Sequence, residues 1–172
     1  GASGDLGQKL RAAWGDAYDL ILLDQAADPE DDEVIAADLG VLDDAWITHF
    51  HGVDTVVHLT PEPDEFATWE DLEGPGLDAL CNVFHAAALA GVDRLIFASS
   101  ARVMGGYRDL GDMPITPDMP PRPDRHFGAT RLMGERLGRS LARAFDITFV
   151  ALRLGRVEPG EDGVRAFDQD AR

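Results

Sequence analysis

Strand-like and helix-like segments alternate along the whole chain, and this alternation limits the fold more than any other feature. Parallel strands need a crossover between them, usually a helix, so the alternation marks a parallel α/β sheet. Strands read as short apolar runs: Tyr18 to Asp24 (YDLILLD), Asp54 to Thr60 (DTVVHLT), Arg94 to Ser100 (RLIFASS) and Thr148 to Leu154 (TFVALRL). Consecutive apolar residues suit strands covered on both faces. Helical spacing appears in Leu6, Leu10, Ala13 and Trp14, and again from Asp43 to Phe50 with Trp46, Ile47 and Phe50 on one side. It recurs from Leu77 to Ala90 and from Gly128 to Phe145, where Leu132, Leu137, Leu141 and Phe145 point inward. Gly74, Pro75 and Gly76 should break the chain before the third helix, and a proline-rich loop runs from Gly105 to Pro123. Trp14 and Trp46 are expected in the core. The expected fold is a doubly wound parallel sheet with helices on both faces, one domain over residues 1–172.

The chain opens on Gly1-Ala2-Ser3-Gly4-Asp5-Leu6-Gly7, glycines spaced G-x-x-G-x-x-G. In such a turn the first glycine permits the tight bend, the second lets backbone approach a pyrophosphate, and the third lets the helix pack close to the sheet. The following helix offers free N–H groups and the positive end of its dipole to phosphate. Asp24 ends an apolar run 23 residues after Gly1 (24 − 1). A carboxylate there accepts from the two hydroxyls of an NAD ribose and repels the extra phosphate of NADP. Glycines and acid together point to a Rossmann dinucleotide-binding domain that takes NAD. Asp38 and Leu39, at the close of the VIAAD stretch, are expected near the adenine. A Rossmann sheet needs a strand immediately before the glycine turn, and a substrate-side segment usually follows its last strand. Neither is in this sequence, so a fragment truncated at both ends is expected.

Charge removes several partner classes. The net charge is −17, from 23 Asp and 9 Glu against 14 Arg and the single Lys9. That field repels nucleic-acid backbones and anionic lipid. Two explanations stay open: adaptation to high salt, or a solvated surface from an arginine-rich genome. No apolar run approaches the roughly 18 residues of a membrane span, and no signal peptide is seen, so a cytoplasmic protein is expected. Cys81 has no partner for an internal disulfide and is expected to be buried and inert. His49, His51 and His85 have no acid or cysteine at ligand spacing, so no metal site is expected.

The order of these motifs resembles the extended short-chain dehydrogenase/reductases, the NAD-dependent epimerase/dehydratases of sugar metabolism. The resemblance rests on the glycine turn, Asp24, Asp38-Leu39, His58-Leu59 and the stretch Asn82-Val83-Phe84-His85-Ala86-Ala87. Leu95 to Ser100 (LIFASS) and Leu152-Arg153-Leu154-Gly155 continue it. Ser99 to Tyr107 (SSARVMGGY) and Ala151 to Glu161 (ALRLGRVEPGE) look most like the branch around uronate dehydrogenase. The resemblance implies NAD as cofactor, Leu59 and Arg131 as further cofactor contacts, a sugar or uronate as substrate, and leaves a homodimer open.

It also implies a catalytic Asn, Ser, Tyr and Lys. The Tyr is the acid/base, the Lys lowers its pKa and holds the nicotinamide ribose, and the Ser hydrogen-bonds the substrate oxygen. Ser100 matches the family Ser. The Tyr-x-x-x-Lys position reads Phe127-Gly128-Ala129-Thr130-Arg131, and the family Asn falls on Gly76. Phe has no proton to exchange, and an Arg fork is not a Lys equivalent. Two readings follow. The chain binds NAD with weak or absent redox activity, or it is an active sugar/uronate oxidoreductase or epimerase with a displaced acid/base. Tyr107 and His126 are the candidates for the second, although His126 is turned about 100° from Phe127 on a helix. His58 ends a strand at the cleft and reads as structural.

Overall fold

The computed structural model describes residues 1–59, 67–111, 114–155 and 157. Thr60, residues 112–113 of the proline-rich loop, Arg156 and residues 158–161 lie outside the described residues.

The chain enters through the glycine turn into α1 (Asp5–Trp14), whose first turn carries Asp5 and whose last carries Arg11, in keeping with the helix dipole. The strand β1 covers Leu22–Asp24 and pairs in parallel with β2 (Val34–Ala36), in register Leu22 with Val34 and Asp24 with Ala36. A short helix, α2 (Asp44–Ile47), is capped by the Asp43 carboxylate, which accepts from Ala45 N at 2.8 Å, and tightens into a 3-10 turn over Thr48–Phe50. The strands β3 (Thr55–His58), β4 (Arg94–Ser100) and β5 (Thr148–Leu154) form a second parallel sheet in that order. Gly1 touches both sheets. Its nitrogen donates to Leu23 O at 3.1 Å, and a Cβ on it would lie 2.0 Å from Leu59 O.

Between β3 and β4 the chain runs as α3 (Trp69–Leu72), a π-helical segment (Glu73–Asp78) and α4 (Ala79–Ala90). The expected break at Gly74-Pro75-Gly76 is therefore a widened turn inside one helical path. Proline has no N–H to give, and π winding re-routes the local ladder around it. Thr68 and Asp71 start this helix with a capping box. The Asp71 carboxylate accepts from Thr68 N at 2.7 Å, and Thr68 Oγ1 accepts from Asp71 N at 3.4 Å. After β4 come 3-10 turns over Ala101–Leu110, then the long α5 (His126–Phe145), which ends on Asp146 in the left-handed region, φ 58°.

The core lies between α4, α5 and one face of the β3–β4–β5 sheet. Phe84 and Phe97 are fully buried, edge to face with centroids 5.4 Å apart, and Leu95, Val83 and Trp46 join them. Close approach of α5 requires Gly134, where a Cβ would meet Leu80 Cδ1 at 2.7 Å and Phe97 Cε1 at 2.8 Å. The opposite sheet face exposes Val150 and Leu152.

Three burial expectations are corrected. Cys81 is exposed, on the outer stripe of α4 with His85 and Leu89. That helix is apolar almost all round, so its sequence does not reveal which side faces in. Trp14 is half-buried and packs edge-on against the exposed Tyr18 at 6.2 Å, outside the core cluster. Phe145 ends α5 exposed rather than inward.

Among the described residues, the only buried charged side chains are Arg131 and Glu135, so the acidic residues sit largely at the surface. If the −17 charge reflects high-salt adaptation, self-repulsion should lower the melting temperature in dilute buffer, and salt should restore it. A melting temperature that is flat from about 0.05 to about 2 M salt would leave the arginine-rich-genome explanation standing.

Candidate functional site

The C-terminal ends of β1, β3, β4 and β5 open onto one cleft of about 560 Å³, floored by the glycine turn. Ligands of open α/β sheets bind at this end of the strands. The glycines divide the work. A Cβ on Gly7 would sit 2.3 Å from Gly1 O and 2.4 Å from Ala2 O, so the turn closes only with hydrogen there. A Cβ on Gly4 would meet nothing closer than Gly1 O at 3.6 Å. Protein packing does not demand that glycine; bare backbone there is what would let a phosphate come close. Asp5 would oppose an anion there, but Lys9 pairs with it at 2.7 Å.

Asp24 ends β1 at the cleft edge. Its Oδ2 accepts from Ser3 N and its Oδ1 from Ala26 N, both at 2.9 Å. Burial pushes this carboxyl up, but the Ala26 and Ser3 backbone donors together with the Gly1 amino group, 3.4 Å away, hold the pKa below the usual range. A carboxylate has about four acceptor positions, so about two remain beyond the backbone donors. Asp38 is exposed, accepts from Gly40 N at 3.0 Å and does not line the cleft; Leu39 and Gly40 do. The Asn82 amide fixes that loop by donating to Leu39 O at 2.9 Å and Gly40 O at 3.0 Å. Sequence reading quoted Asn82 without a role. Leu59 lines the cleft beside Gly1.

At the other end stand Ser100, Phe127 and Arg131. Ser100 closes β4, and its Oγ accepts from Arg102 N at 3.2 Å. Phe127 and Arg131 lie one turn apart on α5, both buried. The guanidinium lies 4.5 Å from the Phe127 ring centroid and 5.8 Å from that of Phe97. Gly76 is not among the cleft-lining residues, and a Cβ on it would meet no protein atom within 4 Å. Tyr107 is tied into its own loop: its hydroxyl donates to Pro120 O at 3.0 Å, and Arg122 stacks on its ring. His126 is exposed against Trp69. Among the described residues no group of His, Cys, Asp and Glu could hold a metal ion.

His58 is buried in the cleft wall, stacked on Phe97 and edge-on to Phe84. Burial, with positive charge from the Gly1 amino group and Arg131, pushes its pKa down to about 3. It is therefore neutral near pH 7. Sequence reading missed one further cluster. The Glu135 carboxylate, 1% exposed, accepts from Ser99 Oγ at 2.7 Å and from Arg153 Nε and Nη2 at 2.9 and 2.8 Å. This ties α5 to β4 and β5 next to Ser100. The available signal was a charged residue on the buried Gly128–Arg131–Glu135–Gly138 stripe of an amphipathic helix.

Residues 1–166 match the pattern of one protein family along nearly their whole length. The chain belongs to the NAD dependent epimerase/dehydratase family. Among curated relatives, it is 32% identical to the NAD-dependent glucose-6-phosphate dehydrogenase of Haloferax volcanii, over 91% of this chain and 66% of the relative. It is 33% identical to the uronate dehydrogenase of Pseudomonas putida, over 96% of this chain and 62% of the relative. A solved structure from Agrobacterium tumefaciens, a short-chain dehydrogenase/reductase superfamily protein with bound NAD, superposes with a TM-score of 0.76 at 28% identity. That match covers 89% of this chain and 47% of the other. The chain thus spans roughly half to two thirds of the length of these three proteins. The parallel sheets are those of a Rossmann-fold member of the family, and no described helix is long and apolar enough to cross a membrane.

Proposed function

We propose that this chain binds NAD in the cleft and that its redox chemistry is weak or absent. The observation that carries the reading is the contrast between the two ends of the cleft. At one end, the space beside Gly4 is open, and Asp24 lines the cleft with acceptor positions beyond those its two backbone donors take. At the other, Phe127, which the resemblance aligns with the family's acid/base, is buried with a guanidinium over its ring.

The donor set suits the cofactor. Asp24 would accept from the adenosine ribose, Gly4 and the start of α1 would meet the pyrophosphate, and Arg131 would reach the nicotinamide ribose. Bound NAD would supply a hydride acceptor. Ser100 can hold a substrate oxygen, but Phe127 can neither take nor give its proton, which is worth about 10²–10⁴-fold in rate. Tyr107 does not fill the gap, because its hydroxyl is committed to Pro120. Substrates of the relatives point to a sugar or uronate for the full-length protein.

Titration calorimetry should give NAD an affinity at least about tenfold above NADP, or about 1.4 kcal/mol. Asp24→Ala should narrow that gap. Equal affinities, or preference for NADP, would remove the assignment. Absorbance at 340 nm with a panel of aldoses and uronates should show little or no turnover; robust turnover would mean that the active reading is correct.

A further inference from the structure

We propose that His58 Nε2 is a ligand contact, donating a hydrogen bond to the phosphate–ribose stretch of the dinucleotide that lies toward Arg131. The inference rests on the cofactor reading above and adds a residue to it.

The geometry makes this a built position. The imidazole is clamped by Phe97, centroids 6.1 Å apart and nearly parallel, and by Phe84 at 5.8 Å, edge-on. Both phenylalanines are fully buried, so the imidazole is held in place. Its Nε2 is buried and has no hydrogen-bond partner among the described residues. Buried polar atoms almost always find a partner, and an orphan is costly. If His58 only filled space among aromatic rings, phenylalanine would fill it better. An orphan kept in a cleft wall is explained if the ligand supplies the partner.

A second orphan supports this. Ser3 Oγ, in the glycine turn, is also buried without a partner among the described residues and lines the same cleft. Position gives the part of the ligand. His58 and Arg131 lie against the same Phe97 ring, whereas Asp24 ends a strand of the other sheet. A neutral imidazole can carry its one proton on Nε2 and donate it to a phosphate or ribose oxygen.

The test is a set of calorimetric titrations with NAD, ADP-ribose and AMP, alongside melting temperature without ligand. His58→Phe keeps an aromatic ring and removes the donor. Its affinity for NAD and ADP-ribose should fall about tenfold, its affinity for AMP should stay within about twofold, and its melting temperature should hold or rise. His58→Gln keeps a donor nitrogen at similar reach and loses the ring. It should melt lower yet retain most of the NAD affinity. An unchanged NAD affinity in His58→Phe overturns the proposal. So does a parallel loss for all three ligands with a lower melting temperature, since that is damage to packing. Wild-type protein that fails to bind NAD would overturn the cofactor reading itself, and this inference with it.

Discussion

The double substitution Phe127→Tyr with Arg131→Lys is expected to raise turnover of a family substrate by one or more orders of magnitude. Phe127 already lines the cleft with Ser100, and Arg131 follows one helical turn later. The tyrosine would restore a hydroxyl that can exchange a proton with the substrate. The lysine would place a compact cation to lower the phenol pKa where a guanidinium now lies 4.5 Å from the ring centroid. General acid–base catalysis is worth about 10²–10⁴-fold, and each tenfold is only about 1.4 kcal/mol of barrier. The changes should be non-additive, because the lysine acts mainly through the tyrosine. Gly76→Asn can be added, since a Cβ there meets no protein atom within 4 Å. The measurement is absorbance at 340 nm with aldoses and uronates, on the full-length protein. Wild-type turnover that survives Ser100→Ala would show a different mechanism. A double variant that binds NAD and stays inert would show that the substrate side has also changed, leaving binding as the function.

How much of this site could be read from the sequence follows from where each signal resides. Asp24 and the glycine turn are local chemistry at fixed spacing, and the fold sets them in the lining of one cleft. The runs from Arg94 to Ser100 and from Thr148 to Leu154 are strands over their full predicted lengths, because leucine, β-branched and aromatic residues fill their centres. The run from Tyr18 was less informative. Only Leu22–Asp24 is strand, since the chain leaves α1 through turns that donate from Ala17 N and Tyr18 N to Trp14 O. The partner strand Val34–Ala36 is three residues long, too short for periodicity to mark. The α4 sequence conceals its inward side, which is why Cys81 was misplaced. Asn82, Glu135 and the Nε2 of His58 could not be assigned from sequence. Their roles depend on atoms 43, 18 and 39 positions away: Leu39 O, Arg153 and the Phe97 ring.

The Glu135 cluster carries the second large expectation, one of stability. Arg153→Met should cost about 3 kcal/mol or more, a large share of the roughly 5–15 kcal/mol that holds an ordinary domain together. The reason is asymmetric. Glu135 is 1% exposed, and without Arg153 its remaining partners among the described residues are the Ser99 hydroxyl at 2.7 Å and the exposed Arg139 at 4.0 Å. An uncompensated buried charge is far costlier than a missing pair. Glu135→Gln should cost less, about 1–2 kcal/mol, because Arg153 is 29% exposed and can turn to water. The pH dependence separates the two causes. In the wild type, burial works to raise the Glu135 pKa, but Arg153 and Ser99 hold it below the ordinary value. It therefore contributes stability that is present above about pH 4.3, the unfolded value, and is lost as pH falls through the lower folded pKa. In Arg153→Met, burial dominates and the folded pKa rises above the unfolded one. The sign reverses: the variant's deficit is greatest at neutral pH and shrinks as pH falls and Glu135 takes up a proton. Chemical denaturation of both proteins from about pH 7 to about pH 4 should show the two stabilities converging. A deficit that stays constant over that range would mean that Arg153 acts through packing against Met104, whose sulfur lies 3.2 Å from its Nη1, rather than through the buried charge.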